Sequence, residues 1–356
     1  IVAGALLPLM SAASSLDIEE RRVAKATQKL PDISQRYQPI VTDFIKHTPS
    51  YDSISDRQAI ATGNQLWQRA INDVQQQQLD DRPLYWSRLQ LRAYLKELDI
   101  VNHPEHNKGP RAIDILEKYS RGFGDINYQA DNYNVLVTGF DPFFLDRNIG
   151  QSNPSGVVAL ALDNLEFEQG NINVHIETVL IPVRFSDFDQ GLIEKIVDAY
   201  VATDKIDMLI TVSMGREQFD LERFPALNRS AKAPDNQNFY TGASKQNPQP
   251  PKLNGKPLEG AQFVEFSLPA KAMMQVKGPW QINDNNQVAT VSDTDISPTT
   301  LSELDGKVSV AGSGGGYLSN EISYRSIRAM QLANKSIPIG HIHTPKINEY
   351  NAEQMA

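Results

Sequence analysis

Residues 134–140 read NVLVTGF, a short apolar run that ends in glycine and an aromatic residue. Runs of this length and composition are typical of buried strands. Comparable runs follow at 174–183, 207–213, 308–313 and 337–343, and helical patterns lie between them at 187–200 and 318–332. Strands that alternate with helices predict an α/β fold of three layers, in which a largely parallel, twisted sheet is flanked by helices.

The chain before this region has a different pattern. Residues 16–130 read as a helical N-terminal extension, and residues 131–356 as the α/β domain. Ser55 followed by Gln58 is a capping-box pair that opens one helix, and Pro83 lies at the start of another. No residues of this extension converge on a chemical site, so we look for function in the α/β domain.

The first fifteen residues, IVAGALLPLMSAASS, form an apolar run that ends in small residues. This pattern is similar to the hydrophobic and cleavage regions of a secretory signal without its basic start. The run is too short to predict a membrane span. A buried or truncated helix is the alternative. The pattern favours an exported or periplasmic protein, and a cytoplasmic one is the other possibility.

Composition excludes several classes of function. The 356 residues carry a formal net charge of −9 and show no cluster of Lys and Arg, which argues against a nucleic-acid partner. There is no cysteine, so disulfides, thiolate zinc sites and a cysteine nucleophile are excluded. His103 and His106 have metal-ligand spacing but flank Pro104, which predicts a solvated turn and not a metal site. We expect no metal and no cofactor.

Sites in parallel sheets form in the loops that follow the carboxyl ends of strands. Three such loops hold a plausible acyl-transfer set. Ser319 lies at a helix start after the Gly-rich run GSGGGY (312–317), where backbone N–H groups can stabilise an oxyanion. His343 ends the last strand as a candidate general base, and Glu222 can orient its imidazole.

Each residue of this set has a plainer explanation. A serine at a helix start is usually a cap, a glutamate is usually solvated, and a histidine at a strand end is often structural. The glycine run also suits a phosphate loop, but no Lys-Ser/Thr pair follows it at the required spacing. We therefore favour acyl transfer over phosphate binding.

Several separated motifs then resemble the pyroglutamyl peptidase I (pyrrolidone carboxyl peptidase) family. In chain order they are VLVTGFDPF (135–143), NPS (153–155), GR and LER (215–216 and 221–223), PDN (234–236), FSLP (266–269), GGYLSN (315–320) and HIHTP (341–345). The resemblance covers roughly residues 133–347. It implies an α/β hydrolase that removes an N-terminal pyroglutamyl group from peptides through an acyl-enzyme.

The resemblance also implies roles for individual residues. Glu222 and His343 match the catalytic glutamate and histidine, and Ser319 stands at the position of the nucleophilic cysteine. Lys232 stands where the family has an arginine that supports the oxyanion. The pocket for the lactam ring corresponds to Phe140, Phe143 and Asn153, although both phenylalanines are also compatible with a plain core role.

Departures from the family pattern leave alternatives open. Serine is a weaker nucleophile than cysteine and depends wholly on its base. The loop at 213–216 is shortened, Phe144 and Leu145 replace two glycines, and an insertion occupies roughly 275–305. We therefore keep two functional hypotheses: an active serine hydrolase, and a non-catalytic homologue that binds peptide ends or a related ligand. A third possibility is a serine introduced to trap a complex.

The sequence ends soon after the histidine motif, without the C-terminal helix of that family. An uncovered apolar sheet face is costly, so we expect helices of the 16–130 extension to cover the face left open. The oligomeric state cannot be predicted.

Overall fold

A computed structural model describes residues 16–102 and 108–356 of the chain. The apolar segment 1–15 and the His103–His106 pair lie outside the described residues. The N-terminal region consists of helices α1 (Ile18–Lys29), α2 (Pro31–Ser34), α3 (Gln38–His47), α4 (Asp56–Gln75), α5 (Arg82–Asn102) and α6 (Lys108–Tyr119), with a 3-10 turn at Tyr51–Ser53. Ser55 caps α4 by accepting a hydrogen bond from the Gln58 N–H at 3.3 Å, as predicted.

The rest of the chain carries the strands β1 (Tyr133–Phe140), β2 (Leu165–Gln169), β3 (Ile172–Ile181), β4 (Met208–Met214), β5 (Phe219–Glu222), β6 (Lys252–Leu253), β7 (Lys256–Pro257), β8 (Ile282–Asn285), β9 (Ala289–Thr290), β10 (Ser309–Ala311) and β11 (Ile339–Thr344). Within the described residues, seven of these form one sheet in the order β2-β3-β1-β4-β11-β5-β8. The four central strands are parallel, β2 and β5 pair antiparallel to their inner neighbours, and β8 is parallel to β5.

Helices cover both faces of this sheet. They are α7 (Pro154–Leu162), α8 (Phe185–Asp189), α9 (Leu192–Tyr200), α10 (Ala270–Met273), α11 (Leu318–Leu332) and α12 (Ala352–Met355), with a second 3-10 turn at Leu301–Leu304. On one face α9 and α11 pack on Leu136, Val179 and Leu209 in the largest apolar core. On the other face lies α7, so the predicted three-layer, mostly parallel architecture is confirmed.

The N-terminal helices pack on the outer side of α7. Val157 and Leu160 of α7 share a core with Leu66 and Trp67 of α4. The chain after α6 also reaches the sheet directly, because the Leu180 N–H donates to the Arg121 carbonyl at 2.9 Å. The helices of this region therefore cover α7, and the chain that follows α6 contacts the sheet at β3 and, through the Tyr128 hydroxyl that donates to the Val135 carbonyl at 3.0 Å, at β1.

The sequence patterns missed part of the sheet. The run 308–313 was expected to supply a strand of the main sheet, but Ser309–Ala311 pairs antiparallel with Ala289–Thr290 in a separate small sheet. Strands β2, β5 and β8 were not predicted. Their sequences, LEFEQ, FDLE and INDN, are short and contain many polar residues, so they show no apolar run like those of the central strands. No helix of the described residues is long and apolar enough to cross a membrane.

Candidate active site

Glu222 and His343 lie beside each other on neighbouring antiparallel strands. Glu222 ends β5, and His343 lies near the end of β11, which pairs with β5. The His343 Nδ1–H donates to Glu222 Oε1 at 2.5 Å, and both side chains are buried, with exposures of 5% and 1%. A carboxylate on Nδ1 fixes the tautomer and leaves Nε2 as the proton acceptor. The pair has the base-plus-orienter arrangement of a hydrolase.

The backbone at Gly215 makes room for the imidazole. A Cβ on Gly215 would lie 2.4 Å from the His343 Cβ, which no side chain could tolerate. The Gly215 N–H donates to the Thr344 carbonyl at 2.9 Å and so continues the β4–β11 ladder past the strand end. Only glycine fits beside the histidine here.

Ser319 lies in the first turn of α11, directly after the glycine-rich turn. The first intrahelical hydrogen bond of α11 runs from the Glu321 N–H to the Tyr317 carbonyl at 3.1 Å, so the three preceding N–H groups have no acceptor within the helix. Asn320 fixes this turn, because its side chain exchanges hydrogen bonds of 2.9 and 2.7 Å with the Ala226 backbone. The arrangement suits an oxyanion beside Ser319.

The Ser319 hydroxyl donates to the Gly314 carbonyl at 3.2 Å. Within the described part of the chain it makes no hydrogen bond to His343. Catalytic hydrogen bonds are often long or poorly aligned until substrate is bound.

A small apolar pocket, with a cavity volume of about 40 Å³, opens beside Ser319. The pocket is lined by Phe140, Phe143, Asn153, Val183, Ser213, Met214, Tyr317, Leu318 and Ser319. Three predicted binding residues and the predicted nucleophile thus share one cavity. Tyr317, Val183 and Met214 were not predicted, because an isolated apolar residue at a strand or helix end carries no sequence signal of its own.

Two of the predicted pocket residues also have structural partners. The Asn153 side-chain amide donates to the Asp141 carbonyl at 2.9 Å, and its oxygen accepts from the Ser155 N–H at 3.1 Å as the cap of α7. Phe140 is buried and stacks on Phe188 at 6.4 Å between ring centroids. Both residues therefore shape the pocket as rigid parts of the core.

Lys232 lies away from this pocket. Its side chain is exposed, and the described residues include no hydrogen-bond or ion-pair partner for its ammonium group. The preceding N–H groups of Ser230 and Ala231 donate to the Gly316 carbonyl at 3.0 and 3.1 Å. Lys232 therefore follows a loop that is fixed to the glycine-rich turn, but the lysine itself does not line the cavity.

Phe144 and Leu145 stand where the pyroglutamyl peptidase motif has two glycines. Neither residue lines the pocket. Phe144 adopts a φ of 61°, a conformation that favours glycine, and lies under the Arg147 guanidinium. Leu145 is buried against Tyr85 and Trp86 of α5. The leucine thus anchors the loop after Phe143 to the helical region.

His341 lies next to the pair and was not singled out from the sequence. It is fully buried, its ring packs edge-on against His343 at 4.9 Å, and its nitrogens bond to Thr211 and Ser213 at 2.8 Å each. Burial, and then the neighbouring His343, hold the pKa of His341 well below its usual range. The spacing of two in HIH was the available signal, since it places both rings on one side of the strand.

Buried polar contacts from the N-terminal helices hold the pocket wall. Arg88 donates to Asp141 Oδ1 at 3.0 Å, and Arg121 approaches Asp141 Oδ2 to 2.7 Å as an ion pair without hydrogen-bond alignment. Asp81, at the start of α5, accepts from the Asn153 N–H at 3.1 Å. Burial raises the pKa of Asp81 to about 8. The helical region is therefore part of the site's supporting structure.

A second, acidic cavity of about 250 Å³ lies at the other end of α7. Asp125, Asp163 and Glu177 line it, with Gln68 of α4. Burial raises the pKa of both Asp163 and Glu177 to about 7. Among the described residues, no group of three or more His, Asp or Glu side chains is arranged to hold a metal ion.

Comparisons with known proteins match the N-terminal helical region and the α/β region separately. The family model described as PA0049, C-terminal domain, matches residues 134–285 and 275–348, and the model of the PA0049 N-terminal domain matches residues 5–112. The uncharacterized protein PA0049 of Pseudomonas aeruginosa is 25% identical over 381 aligned positions, which cover 81% of this chain and 69% of that protein.

Solved structures that overlap this fold include pyrrolidone carboxyl peptidases. The enzyme from Pyrococcus furiosus is 23% identical with a TM-score of 0.42, and the overlap covers 62% of this chain and 83% of that chain. The enzyme from Thermococcus litoralis is 16% identical with a TM-score of 0.41, covering 61% and 78%.

Proposed function

This chain belongs to the PA0049 family, and we propose that its α/β region is an amide hydrolase of the pyroglutamyl peptidase type. Its substrate would be a peptide whose N-terminus carries pyroglutamate or a similarly small acyl group. The observation that carries the proposal is the buried Glu222–His343 pair, which stands at the same end of the sheet as Ser319 and its apolar pocket. The motif resemblance to pyroglutamyl peptidases supports the same chemistry.

In the proposed mechanism the Ser319 hydroxyl turns from the Gly314 carbonyl to His343 Nε2. The oxygen attacks the carbonyl carbon of the acyl group while Nε2 accepts the proton. The N–H groups at the start of α11 stabilise the resulting oxyanion. His343 then protonates the leaving amine as the C–N bond breaks, and a water activated by the same imidazole hydrolyses the ester.

The lining and the size of the pocket suit a small, flat and neutral acyl group. Its lining is mostly aromatic and aliphatic, and a cavity of about 40 Å³ leaves space for a group of few atoms. Phe140, Phe143 and Asn153 would contact this group. Lys232 would support developing charge only if its long side chain folded toward the glycine-rich turn, so its contribution would be secondary to the backbone donors.

The test is release of the fluorophore from a pyroglutamyl-coumarin amide by the full chain and by His343→Ala and Ser319→Ala. We expect turnover by the full chain and a loss of at least about a thousandfold in kcat in both variants, as in other triads. His47→Ala, at an exposed histidine of α3, is the matched control and should leave turnover unchanged. Turnover that survives His343→Ala would contradict the mechanism.

A second candidate function is binding without catalysis. The specific observation in its favour is the Ser319 hydroxyl, which donates to the Gly314 carbonyl and not to the imidazole. Ser319→Cys separates the two candidates. Turnover that appears only in Ser319→Cys would mean a pocket that still binds the acyl group beside a disabled nucleophile, whereas silence of both forms would exclude this substrate class.

A further inference from the structure

Asn285 makes direct contact with the carboxylate that orients His343. Its side-chain amide donates to Glu222 Oε2 at 2.8 Å and to the Ser313 carbonyl at 3.0 Å. Asn285 is the last residue of β8, and β8 lies within the segment 275–305 that the motif resemblance marks as an insertion. The inserted segment thus reaches the candidate active site with one polar side chain.

The register between β5 and β8 explains how Asn285 arrives there. The two strands are parallel, with Asp220 opposite Asn283 and Glu222 opposite Asn285. Each asparagine donates to the acid opposite it, since the Asn283 amide donates to Asp220 Oδ1 at 3.0 Å. The two Asn–acid pairs have the same chemistry, but only the second includes Glu222, the residue that bonds to His343.

The two oxygens of Glu222 have different partners. Oε1 accepts from His343 at 2.5 Å and from Arg216 at 3.2 Å. The Arg216 side chain is 55% exposed, so its ion pair is screened by water and holds the carboxylate weakly. Oε2 accepts from Asn285, whose own amide oxygen accepts from the Gln287 N–H at 3.2 Å. Arg216 also donates to Asp220 and to the Ser313 carbonyl, at 3.3 and 3.4 Å. The two donors therefore differ chiefly in exposure, and Asn285 is the less exposed of the two.

We propose that Asn285 is a positioning residue, which holds the Glu222 carboxylate so that Oε1 faces the His343 Nδ1–H. This inference rests on the proposed function for its catalytic meaning. The same amide also fixes the Ser313 carbonyl in the turn that leads to Ser319. One side chain from the insertion thus sets the orienting acid and the nucleophile's turn relative to each other.

The experiment compares Asn285→Ala and Asn285→Asp with the matched controls Asn283→Ala and Asn283→Asp in the full chain. Asn285→Asp keeps the size of the side chain but removes the donor and places a like charge beside Glu222. We expect kcat to fall about tenfold or more in both Asn285 variants, as when a hydrogen bond to a charged group is removed. KM should stay within about twofold, because Asn285 does not line the acyl pocket.

A spectroscopic signature makes the test independent of turnover. The proton shared by His343 Nδ1 and Glu222 should give a far-downfield proton NMR resonance that is absent in His343→Ala. This resonance should shift or broaden in Asn285→Ala and stay unchanged in Asn283→Ala. All four variants should melt within a few degrees of one another, because both asparagines lie on the same edge strand.

The outcomes separate the two proposals. A resonance that changes in Asn285→Ala alone supports the positioning role, even if the full chain releases no fluorophore and the proposed function fails. An unchanged resonance in Asn285→Ala overturns the positioning role, whether or not the chain is active. Equal changes in the Asn285 and Asn283 variants also overturn it, because they would reflect loss of the edge strand and not of the contact with Glu222.

Discussion

Asp141 and Asp163 lie near opposite ends of α7, and each is only 1% exposed. Asp141 lies beside the cap residue Asn153 and has two arginine partners, Arg88 and Arg121. Asp163 ends α7, and its Oδ1 accepts from the N–H and hydroxyl of Thr178. Among the described residues, Asp163 has no cationic partner, and its Oδ2 has no hydrogen-bond donor.

The two ends of α7 differ in how their buried carboxylates are neutralised. At the pocket end, arginines from the helical region neutralise the acid and fix the wall that carries Phe140 and Asn153. At the far end, four carboxylates (Asp125, Asp163, Glu166 and Glu177) line a polar cavity, and burial raises the pKa of Asp163 and Glu177 to about 7. We therefore expect the first end to stay stable over a wide pH range and the stability of the second to depend on pH.

The largest loss of stability is expected from a substitution of Asp141, at the pocket end of α7. Asp141→Asn keeps the shape of the side chain but leaves Arg88 buried without its carboxylate. Removal of one partner of a buried pair costs about 3–5 kcal/mol in the free energy of unfolding. Urea unfolding followed by circular dichroism measures this loss.

The control is Asp56→Asn, which removes an exposed ion pair with Arg111 and should leave the urea midpoint unchanged. Equal midpoints for the Asp141 variant and the natural chain would mean that the buried pair contributes no net stability. The pocket wall would then have to be held by apolar contacts alone.

Leu145→Ala separates apolar contact from charge at the same end. The side chain is buried against Tyr85 and Trp86, so its truncation should cost about 3 kcal/mol through lost burial and a residual cavity. Leu332→Ala, on an exposed leucine of α11, is the matched control. Thermal unfolding of the two variants gives the comparison, and similar melting temperatures would refute an anchoring role for Leu145.

A substitution of Asp163, at the far end of α7, should give the smallest change in the free energy of unfolding, and it should stabilise the protein. The folded-state pKa of Asp163 is raised to about 7 from 3.8, so the folded chain binds a proton more tightly than the unfolded chain. The stability from this protonation is fully present below about pH 4 and is lost as the pH rises to about 7. Asp163→Asn should therefore stabilise the protein by about 2 kcal/mol more at pH 8 than at pH 4.5.

Unfolding midpoints at the two pH values test this prediction, with Asp198→Asn on the exposed face of α9 as the control. A stabilisation that does not depend on pH would show that the cavity has another source of neutralisation. Loss of stability in Asp163→Asn at both pH values would mean that its hydrogen bonds to Thr178 require the carboxylate.

Much of the fold followed from the sequence because the central strands are buried on both faces. NVLVTGF and DMLITVS need continuous apolar residues for that position, and α7 shows its start through the Asn153-Pro154 pair. The short strands β5 and β8 were not predicted because polar side chains pair across them, Asn283 with Asp220 and Asn285 with Glu222. Such pairings between distant segments, as in Asn283–Asp220, leave no local period to read.

The candidate site was predictable at the candidate chemical residues and at the pocket residues Phe140, Phe143 and Asn153, which the motif resemblance indicated. Ser319, Glu222 and His343 follow a glycine-rich turn or lie at a strand end, and both are visible in sequence. Asn285 was not predictable, because only the fold brings its amide to Glu222. The roles assigned to the predicted residues remain predictions until the substitutions above are measured.

The position of β8 limits how a peptide can reach Ser319. An extended peptide often binds by adding a strand to an open sheet edge. Here β8 already occupies the hydrogen-bonding edge of β5, next to Glu222. The edge of β5 beside Glu222 is therefore closed to strand addition, and an added strand could pair only with the outer edge of β8, one strand further from Glu222. If the proposed hydrolase activity holds, a peptide would therefore bind through the pocket beside Ser319 and not as a strand added to β5.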